Sequence, residues 1–373
     1  MRQVLHGARI FDGNRFHDGT ALVIEDGHVA ALIPEAEAPD DALRLDGLIA
    51  PGFLDLQVNG GGGQLVGSQT DLAALRHICA THRRLGTAGC LPTLITDTPE
   101  NTARVIEAGI AAARAGVPGF LGLHLEGPHL DPRRKGAHDP ALIRPMTAED
   151  LVRLCDAARA LPALMVTLAP ESVTAEQIAA LAGAGAVVSL GHSDCDHDTA
   201  RAAFAAGAGC VTHLFNAMSQ IGSRAPGLAG AVLSGDCAAG LIADGIHVHP
   251  AVMRLALAAR PEGIFLVTDC MAFAGTNDAE MLLNGRRVQR HEGRLTLEDG
   301  TLAGADLTLP QAIRRLIGIG IAPERALAMV TVEPARVIGR GNLGRIAPGR
   351  VADLVLLSGD WALKAVCRHG QWD

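Results

Sequence analysis

Eight short apolar runs recur through the middle of the chain, and segments with helical periodicity separate most of them. The runs cover residues 53–58, 90–96, 119–126, 163–169, 186–191, 210–215, 238–244 and 263–269. Two of the intervening helices start with capping-box sequences, at Thr147 and Thr174. Continuous apolar strands that alternate with helices are typical of a parallel sheet buried on both faces. Their number predicts an α/β protein with a closed (β/α)8 barrel of the TIM type.

Both ends of the chain have a different pattern, in which short strand-like pieces are separated by turn sequences. These pieces cover residues 4–10, 21–24, 28–33, 352–357 and 365–368. Two further helices are predicted before the last pieces, at 309–320 and 323–338. The simplest assembly joins the terminal strands into a small β-sandwich. We therefore predict a small β domain formed by 1–50 plus 341–373, and a catalytic barrel formed by 51–340.

Composition narrows the class of protein. The chain has 373 residues, 48% of them hydrophobic, and a formal net charge of −8. The apolar fraction excludes a disordered chain, and the acidic balance without a basic stripe argues against nucleic acid as a partner. No apolar run is long enough for a membrane span, and the first residues lack the pattern of a signal peptide. Eight scattered cysteines are expected to be reduced thiols, so we expect a cytoplasmic protein.

Polar side chains occur at the carboxyl ends of most predicted strands, where a barrel places its catalytic groups. Glu126, His192 and His213 are the natural metal ligands, because one carboxylate and two imidazoles suit a zinc-like ion. Asp269 can accept a proton from the attacking water and deliver it to a leaving group. Asp55 is expected to bind loop amides, and His124, two residues before Glu126, is expected to pack or to support a ligand.

Several motifs occur together and in order. The most specific are Leu-Glu-Gly-Pro at 125–128, Lys-Gly-Ala-His at 135–138 and His-Leu-Phe-Asn-Ala-Met at 213–218. Others lie at 51–55, 91–93, 191–193, 226–230, 242–247, 266–269 and 302–304. With these motifs, which extend over nearly the whole length, the chain resembles the N-acetylglucosamine-6-phosphate deacetylase family of the amidohydrolase superfamily.

The resemblance implies an activity and a role for each matching residue. The activity is hydrolysis of the acetamido group of N-acetylglucosamine 6-phosphate to glucosamine 6-phosphate and acetate, in amino-sugar catabolism or cell-wall recycling. Glu126, His192 and His213 would hold the metal, Asp269 would be the general base and acid, and His138 would polarise the acetyl carbonyl. The residues expected to hold the sugar phosphate are Ala137, His138, Asn216, Ala217, Arg224, Asp244, His247, Leu302, Ala303 and Gly304. Arg224 and His247 are associated with the phosphate, and one such contact can come from a neighbouring subunit, which implies a homodimer.

One position departs from the pattern of the superfamily. Many amidohydrolases carry His-x-His after the first strand, where it helps to bind a second metal, whereas this chain has Gln57 and Asn59. Neutral amides are poor ligands for a zinc-like ion compared with imidazole. We therefore expect one divalent metal ion per subunit, with zinc first and iron or cobalt as alternatives.

Two other functions remain as alternatives. Another amidohydrolase, such as a dihydroorotase-like cyclic amidase or an aminoacylase, is disfavoured because His-x-His is missing and no lysine ends a strand. A non-catalytic relative kept for binding or assembly would be expected to have lost its metal ligands or Asp269, and all of these are present.

Overall fold

The computed structural model describes residues 1–283 and 285–373, and its centre is a ring of eight parallel strands. These strands are Phe53–Val58, Thr87–Ile95, Leu123–Glu126, Leu164–Leu168, Val187–Leu190, Cys210–Val211, Ala238–Leu241 and Ile264–Leu266. Each strand pairs with the next one along the chain. The ring closes where Val58 bridges Cys270 and the amide of Asn59 donates to the Cys270 carbonyl, 2.9 Å away. The predicted barrel is confirmed.

Helices cover the outside of this ring. They are Leu72–Arg84, Pro99–Arg114, Ala148–Ala160, Ala175–Gly183, His197–Ala205, Gly227–Leu233, Pro250–Ala259, Leu309–Gly318, Pro323–Ala328 and Val332–Val337, with 3-10 turns at Glu35–Glu37, Pro132–Arg134 and Pro170–Ser172. Both predicted capping boxes are confirmed. The single helix predicted over 323–338 is wrong: the chain breaks at Thr331, because Pro334 lacks an amide proton and fits only near the start of a new helix. In the described part of the chain, no helix has the length and apolar composition that crossing a membrane requires.

Strands from both ends of the chain form two sheets that pack face to face. One sheet contains Arg2–His6, Thr20–Glu25, His28–Pro34 and Leu43–Arg44, and the other contains Arg9–Phe11, Phe16–His17, Leu48–Pro51, Leu354–Leu357, Leu363–Arg368 and Gln371–Trp372. Side chains of both sheets, such as Leu22 and Leu354, share one buried core. The predicted β-sandwich is therefore confirmed, while its boundaries as a domain stay a prediction.

The prediction of one strand over residues 4–10 is wrong, because this segment forms two strands that belong to different sheets. Gly7 separates them with a φ of +86°, a left-handed backbone that favours glycine. A Cβ at Gly7 would lie 3.0 Å from the carbonyl oxygen of Leu45, so the turn also has no room for a side chain.

A four-stranded antiparallel sheet after the eighth barrel strand was not predicted. Its strands are Glu280–Leu283, Arg286–His291, Arg294–Leu297 and Leu302–Ala305. Val288 and Leu295 pack against Phe273 of the preceding loop. The last strand is tied to the barrel by a bridge between Ala305 and Cys270, and this bridge places residues 302–304 at the barrel mouth. Gly60–Gly61 and Gln64–Leu65 form a small separate hairpin.

Candidate metal centre and active site

Three side chains predicted as metal ligands converge at the mouth of the barrel. Glu126 is the last residue of the third strand, while His192 and His213 lie just beyond the fifth and sixth strands. Nε2 of His192 lies 3.2 Å from Glu126 Oε1, and Nε2 of His213 lies 3.0 Å from the same oxygen. All three residues are buried, and their ligand atoms lie within 4.8 Å of one another. The three residues therefore form one compact cluster of ligand atoms.

The backbone turns sharply at these strand ends to aim the side chains inward. His192, His213 and Asp269 have φ values of +48°, +29° and +49°. Residues other than glycine rarely occupy this left-handed region, and each such residue costs about 1–3 kcal/mol. The rest of the fold therefore holds the backbone of these three residues in a conformation that each would otherwise avoid.

The imidazole nitrogens are arranged for a cation between them. Nδ1 of His192 lies 2.7 Å from the carbonyl oxygen of Arg134, so Nδ1 carries the ring proton and Nε2 presents a lone pair. That Nε2 is 3.1 Å from Nε2 of His213. Two imidazole nitrogens and one carboxylate oxygen that converge in this way suit a zinc-like ion. The residues present therefore fit a divalent metal.

The charges at the centre stabilise one another. Burial acts to raise the pKa of Glu126, but its close contacts with the imidazoles of His192 and His213 outweigh burial and hold this pKa well below its usual value. Burial also acts to lower the pKa of His213, but its contact with Glu126 leaves the pKa raised. The carboxylate of Glu126 is therefore ionised and available as a ligand.

Asp269 lies beside this centre and is held by the two amides that replace His-x-His. Asn59 Nδ2 donates to Asp269 Oδ1 at 2.7 Å, and Gln57 Nε2 donates to the same oxygen at 3.2 Å. Gln57 Nε2 also lies 3.1 Å from Glu126 Oε1, so its amide group bridges the two carboxylates. Burial, together with the negative charge of Glu126, raises the pKa of Asp269 to about 6. Asp269 can therefore both accept and return a proton near neutral pH.

His138 is positioned as a neutral hydrogen-bond donor. Its Nδ1 accepts the backbone N–H of Thr96 at 3.3 Å and lies 2.7 Å from the Thr96 hydroxyl. A backbone N–H can only donate, so the ring proton of His138 is on Nε2, which lies 3.8 Å from Glu126 Oε2. Burial, together with the neighbouring His192, holds the pKa of His138 well below its usual value. The neutral ring thus presents Nε2–H toward the metal centre.

A cavity of about 240 Å³ opens above these groups. Most of the residues predicted to bind substrate line it: Ala137, His138, Asn216, Ala217, His247, Leu302, Ala303 and Gly304. Residues that sequence reasoning did not single out also line it: Ile95, Gly136, Met271, Leu283 and Thr301. The cavity is small and enclosed on one side by the unpredicted antiparallel sheet.

Two predicted substrate residues do not line this cavity. Asp244 instead holds His247: its Oδ2 lies 2.6 Å from His247 Nδ1, and its Oδ1 accepts the amides of Ile246 and His247. Burial acts to raise the pKa of Asp244, but the hydrogen bond from His247 outweighs it and the pKa is lowered. Arg224 lies in an exposed loop before the helix Gly227–Leu233.

Sequence reasoning missed three groups that position catalytic candidates. Thr96 orients His138, and the carbonyl of Arg134 orients His192. The Arg286 guanidinium of the unpredicted sheet donates to the carbonyl of Ala137, the residue before His138. Of these, only Thr96 carried a signal in the sequence, because it ends a predicted strand. A backbone carbonyl leaves no trace in residue identity.

Comparisons with known proteins agree with this arrangement. A family model described as "Amidohydrolase family" matches residues 48–370. N-acetylgalactosamine-6-phosphate deacetylase of Shewanella sp. (strain ANA-3) is 37% identical over 99% of this chain and 95% of its own length. N-acetylglucosamine-6-phosphate deacetylase of Haemophilus influenzae is 32% identical over 94% of both proteins.

Solved structures extend the similarity to the fold. The crystal structure of N-acetylglucosamine-6-phosphate deacetylase from Pasteurella multocida superposes with a TM-score of 0.95 at 32% identity, over 100% of both chains. A Mycobacterium smegmatis deacetylase variant, in complex with N-acetyl-D-glucosamine-6-phosphate, has a TM-score of 0.91 at 33% identity, over 100% of this chain and 99% of its own. The chain belongs to the amidohydrolase family, and within it to the N-acetylglucosamine- and N-acetylgalactosamine-6-phosphate deacetylases.

Proposed function

We propose that this protein hydrolyses the acetamido group of N-acetyl-D-glucosamine 6-phosphate, releasing acetate and D-glucosamine 6-phosphate. One observation carries the proposal: the Glu126–His192–His213 cluster faces a small cavity that also presents Asp269 and His138. A metal site, a base and a neutral donor around one space are the groups that amide hydrolysis needs. Relatives that match nearly the whole chain carry deacetylase names, which supports the same reaction here.

The metal we propose is a single divalent ion, zinc first and iron or cobalt as alternatives, held by Glu126, His192 and His213. Such an ion supplies two effects when bound, polarisation of a carbonyl and a lower pKa for water. Gln57 and Asn59 support a single ion, because both direct N–H groups at Asp269. The amide N–H groups of Gln57 and Asn59 thus contact Asp269 where a second cation would otherwise do so.

The residues of the chain move the protons. Asp269 accepts a proton from the attacking water and later returns it to the amine nitrogen as the C–N bond breaks. Asn59 and Gln57 keep the accepting oxygen in place. Nε2–H of His138 donates to the acetyl oxygen and stabilises the negative charge that develops there, an effect often worth about 3 kcal/mol per donor.

The phosphate end of the substrate is assigned to His247 and Arg224. Asp244 fixes the ring of His247, whose side chain lines the cavity. Arg224 is exposed and lies outside the cavity lining. We therefore propose a homodimer in which Arg224 serves the cavity of the neighbouring subunit. We also propose a cytoplasmic location, which the scattered, unpaired cysteines support.

A second candidate substrate is N-acetylgalactosamine 6-phosphate. The relatives from Shewanella and from Escherichia coli O157:H7, 37% and 36% identical, are named for this sugar. The two sugars differ only in the configuration of one hydroxyl group, so the same catalytic groups would serve both.

The test is acetate release from both phosphosugars, measured with purified protein before and after treatment with a chelator. Activity on either sugar that is lost with the chelator and restored by Zn²⁺ supports the proposed reaction, and the ratio of the two kcat/KM values names the substrate. If neither sugar releases acetate from the metal-loaded protein, the proposal is wrong.

A further inference from the structure

A second cavity lies at the opposite end of the barrel, where the β-sandwich meets the amino-terminal ends of the strands. It has a volume of about 510 Å³, within the range of small-molecule sites and larger than the cavity above Glu126. Its lining includes Gly52 and Gly89, at the starts of the first two barrel strands, together with Arg345, Arg350 and Asp353. A barrel strand of six residues spans about 20 Å, so this cavity is remote from the metal centre.

Arginines dominate the charge of this cavity. Arg83, Arg345 and Arg350 line it together with a single carboxylate, Asp353. Counted over the arginines and Asp353 alone, the lining carries a formal charge of +2 in a chain whose formal charge is −8. A phosphate dianion has the opposite charge of the same size.

Arg83 is the most informative of these residues. Its side chain is only 12% exposed, yet none of the described residues accepts a hydrogen bond from its guanidinium. Its nearest carboxylate oxygen, Asp353 Oδ1, is 3.7 Å away and already accepts the amide of His369 at 2.8 Å. A largely buried guanidinium with free donors, facing a cavity, is built to receive an anion.

The surroundings hold Arg83 in place. It lies in the last turn of the helix Leu72–Arg84, and its stem crosses Gly119, where a Cβ would lie 3.1 Å from the Arg83 Cδ atom. Backbone hydrogen bonds also fix the segment around Arg350. The carbonyl of Arg350 accepts from the Val29 amide, and the Gly349 amide donates to the Val29 carbonyl. Neither Arg345 nor Arg350 makes an ion pair within the parts of the chain that the structure describes.

We propose that this cavity binds a small molecule that carries a phosphate group, with the Arg83 guanidinium as its anchor and Arg345 and Arg350 at the rim. The site is a half-open cavity of about 510 Å³, a volume that fits a small metabolite. The bound phosphate connects an arginine of the barrel to arginines of the segment that leads into the sandwich. This inference does not rest on the proposed function.

Isothermal titration of the zinc-loaded protein with inorganic phosphate, at constant ionic strength, tests the site. The variants are Arg83→Gln and, as a matched control on the same helix, Arg76→Gln, which is exposed and outside the cavity. We expect Arg83→Gln to weaken one class of phosphate sites by about tenfold or more, and Arg76→Gln to bind as the unchanged protein does. Because the comparison is between these two variants, a phosphate site near Arg224 does not affect it, and the proposed function can fail without this result.

Arg350→Gln, at the exposed rim, serves as the test variant if Arg83→Gln does not fold. Crystals soaked in tungstate, a heavy phosphate mimic, locate the anion directly by its anomalous signal. A peak beside Arg83 supports the proposal. Equal phosphate binding by the test variant and the control, or tungstate peaks confined to the metal-centre end of the barrel, overturns it.

Discussion

Two layers of buried polar side chains lie two residues apart along the barrel strands, and burial has opposite outcomes in them. In the lower layer burial prevails: it lowers the pKa of His124 to about 4 and raises that of Asp55 to about 7. In the upper layer, contact between opposite charges prevails at Glu126 and His213. There the pKa of Glu126 is well below its usual value and that of His213 is raised.

Hydrogen bonding distinguishes the layers in the same way. His124 lies 2.7 Å from the Thr167 hydroxyl, which lies 2.6 Å from the Thr212 hydroxyl, so His124 of the lower layer belongs to a connected network of neutral groups. In the upper layer, His213 Nδ1 and Gln57 Oε1 are buried without partners in the described chain. A buried polar group without a hydrogen-bond partner lowers the free energy of unfolding. At Glu126 and His213 the upper layer keeps its charges, and Glu126, His192 and His213 present their ligand atoms to one another, as a metal site requires.

Replacing the proposed base should have the largest effect. Asp269→Asn keeps the shape of the side chain and removes its ability to accept a proton, so we expect kcat to fall by about 10³-fold or more while metal content stays near that of the unchanged protein. Steady-state acetate release and metal analysis measure the two quantities. Full turnover by this variant would exclude Asp269 as the base.

A pair of histidine variants compares the layers directly. His192→Ala removes a ligand from the upper layer, and we expect bound metal to fall about tenfold or more. His124→Ala removes a ring of similar burial from the lower layer, and we expect near-normal metal content with a free energy of unfolding lower by about 2–4 kcal/mol. Metal analysis and urea unfolding measure both. Equal metal loss in the two variants would mean that the layers do not differ in function.

Much of the upper layer could be predicted from the sequence. A polar residue at the carboxyl end of a predicted barrel strand is a candidate site residue, and the sequence alone shows which residues have that position. Glu126, His192 and His213 follow from this rule, and the structure brings all three together. Their supports could not be predicted. The Arg134 carbonyl that orients His192 is a backbone atom, and the Arg286 guanidinium that reaches Ala137 comes from a sheet that sequence reasoning missed.

That missed sheet shows where pattern reading fails in this fold. Its strands expose many charged residues, as in Arg286–His291, and bury only a small core around Val288, so their apolar signal is weak. The turn at Glu292 and Gly293, where both φ values are positive, follows no strong apolar run. The barrel strands are buried on both faces, and for that reason their apolar runs were visible.

Removing the proposed phosphate contact should have the next largest effect, and this contact lies at the protein surface. Arg224→Ala should raise KM for the phosphorylated sugar about tenfold or more, because a charge-assisted contact is lost, and leave kcat/KM for unphosphorylated N-acetylglucosamine unchanged. Arg254→Ala, an exposed arginine on the helix Pro250–Ala259, is the matched control. If both sugars are affected equally by Arg224→Ala, the phosphate role of Arg224 is wrong.

The last effect concerns the lower layer alone and appears as a pH dependence of stability. The native pKa of Asp55, about 7, lies above the ordinary value of 3.8, because burial penalises the carboxylate more than the Thr268 hydroxyl stabilises it. Between about pH 4 and pH 7 the native state keeps a proton that the unfolded chain has lost. The contribution of Asp55 to the free energy of unfolding therefore falls as the pH rises through that window, by about 4 kcal/mol in all.

Asp55→Asn removes this titration and keeps an oxygen that can accept from Thr268. Urea unfolding of the zinc-loaded protein at pH 5 and pH 8 measures the difference, with Asp40→Asn, an exposed aspartate, as the control. We expect the variant to lose less stability between the two pH values than either the control or the unchanged protein, since the other titrating groups are common to all three. A variant with the same loss as the control would show that Asp55 is ionised throughout, and that its layer keeps its charge as the upper one does.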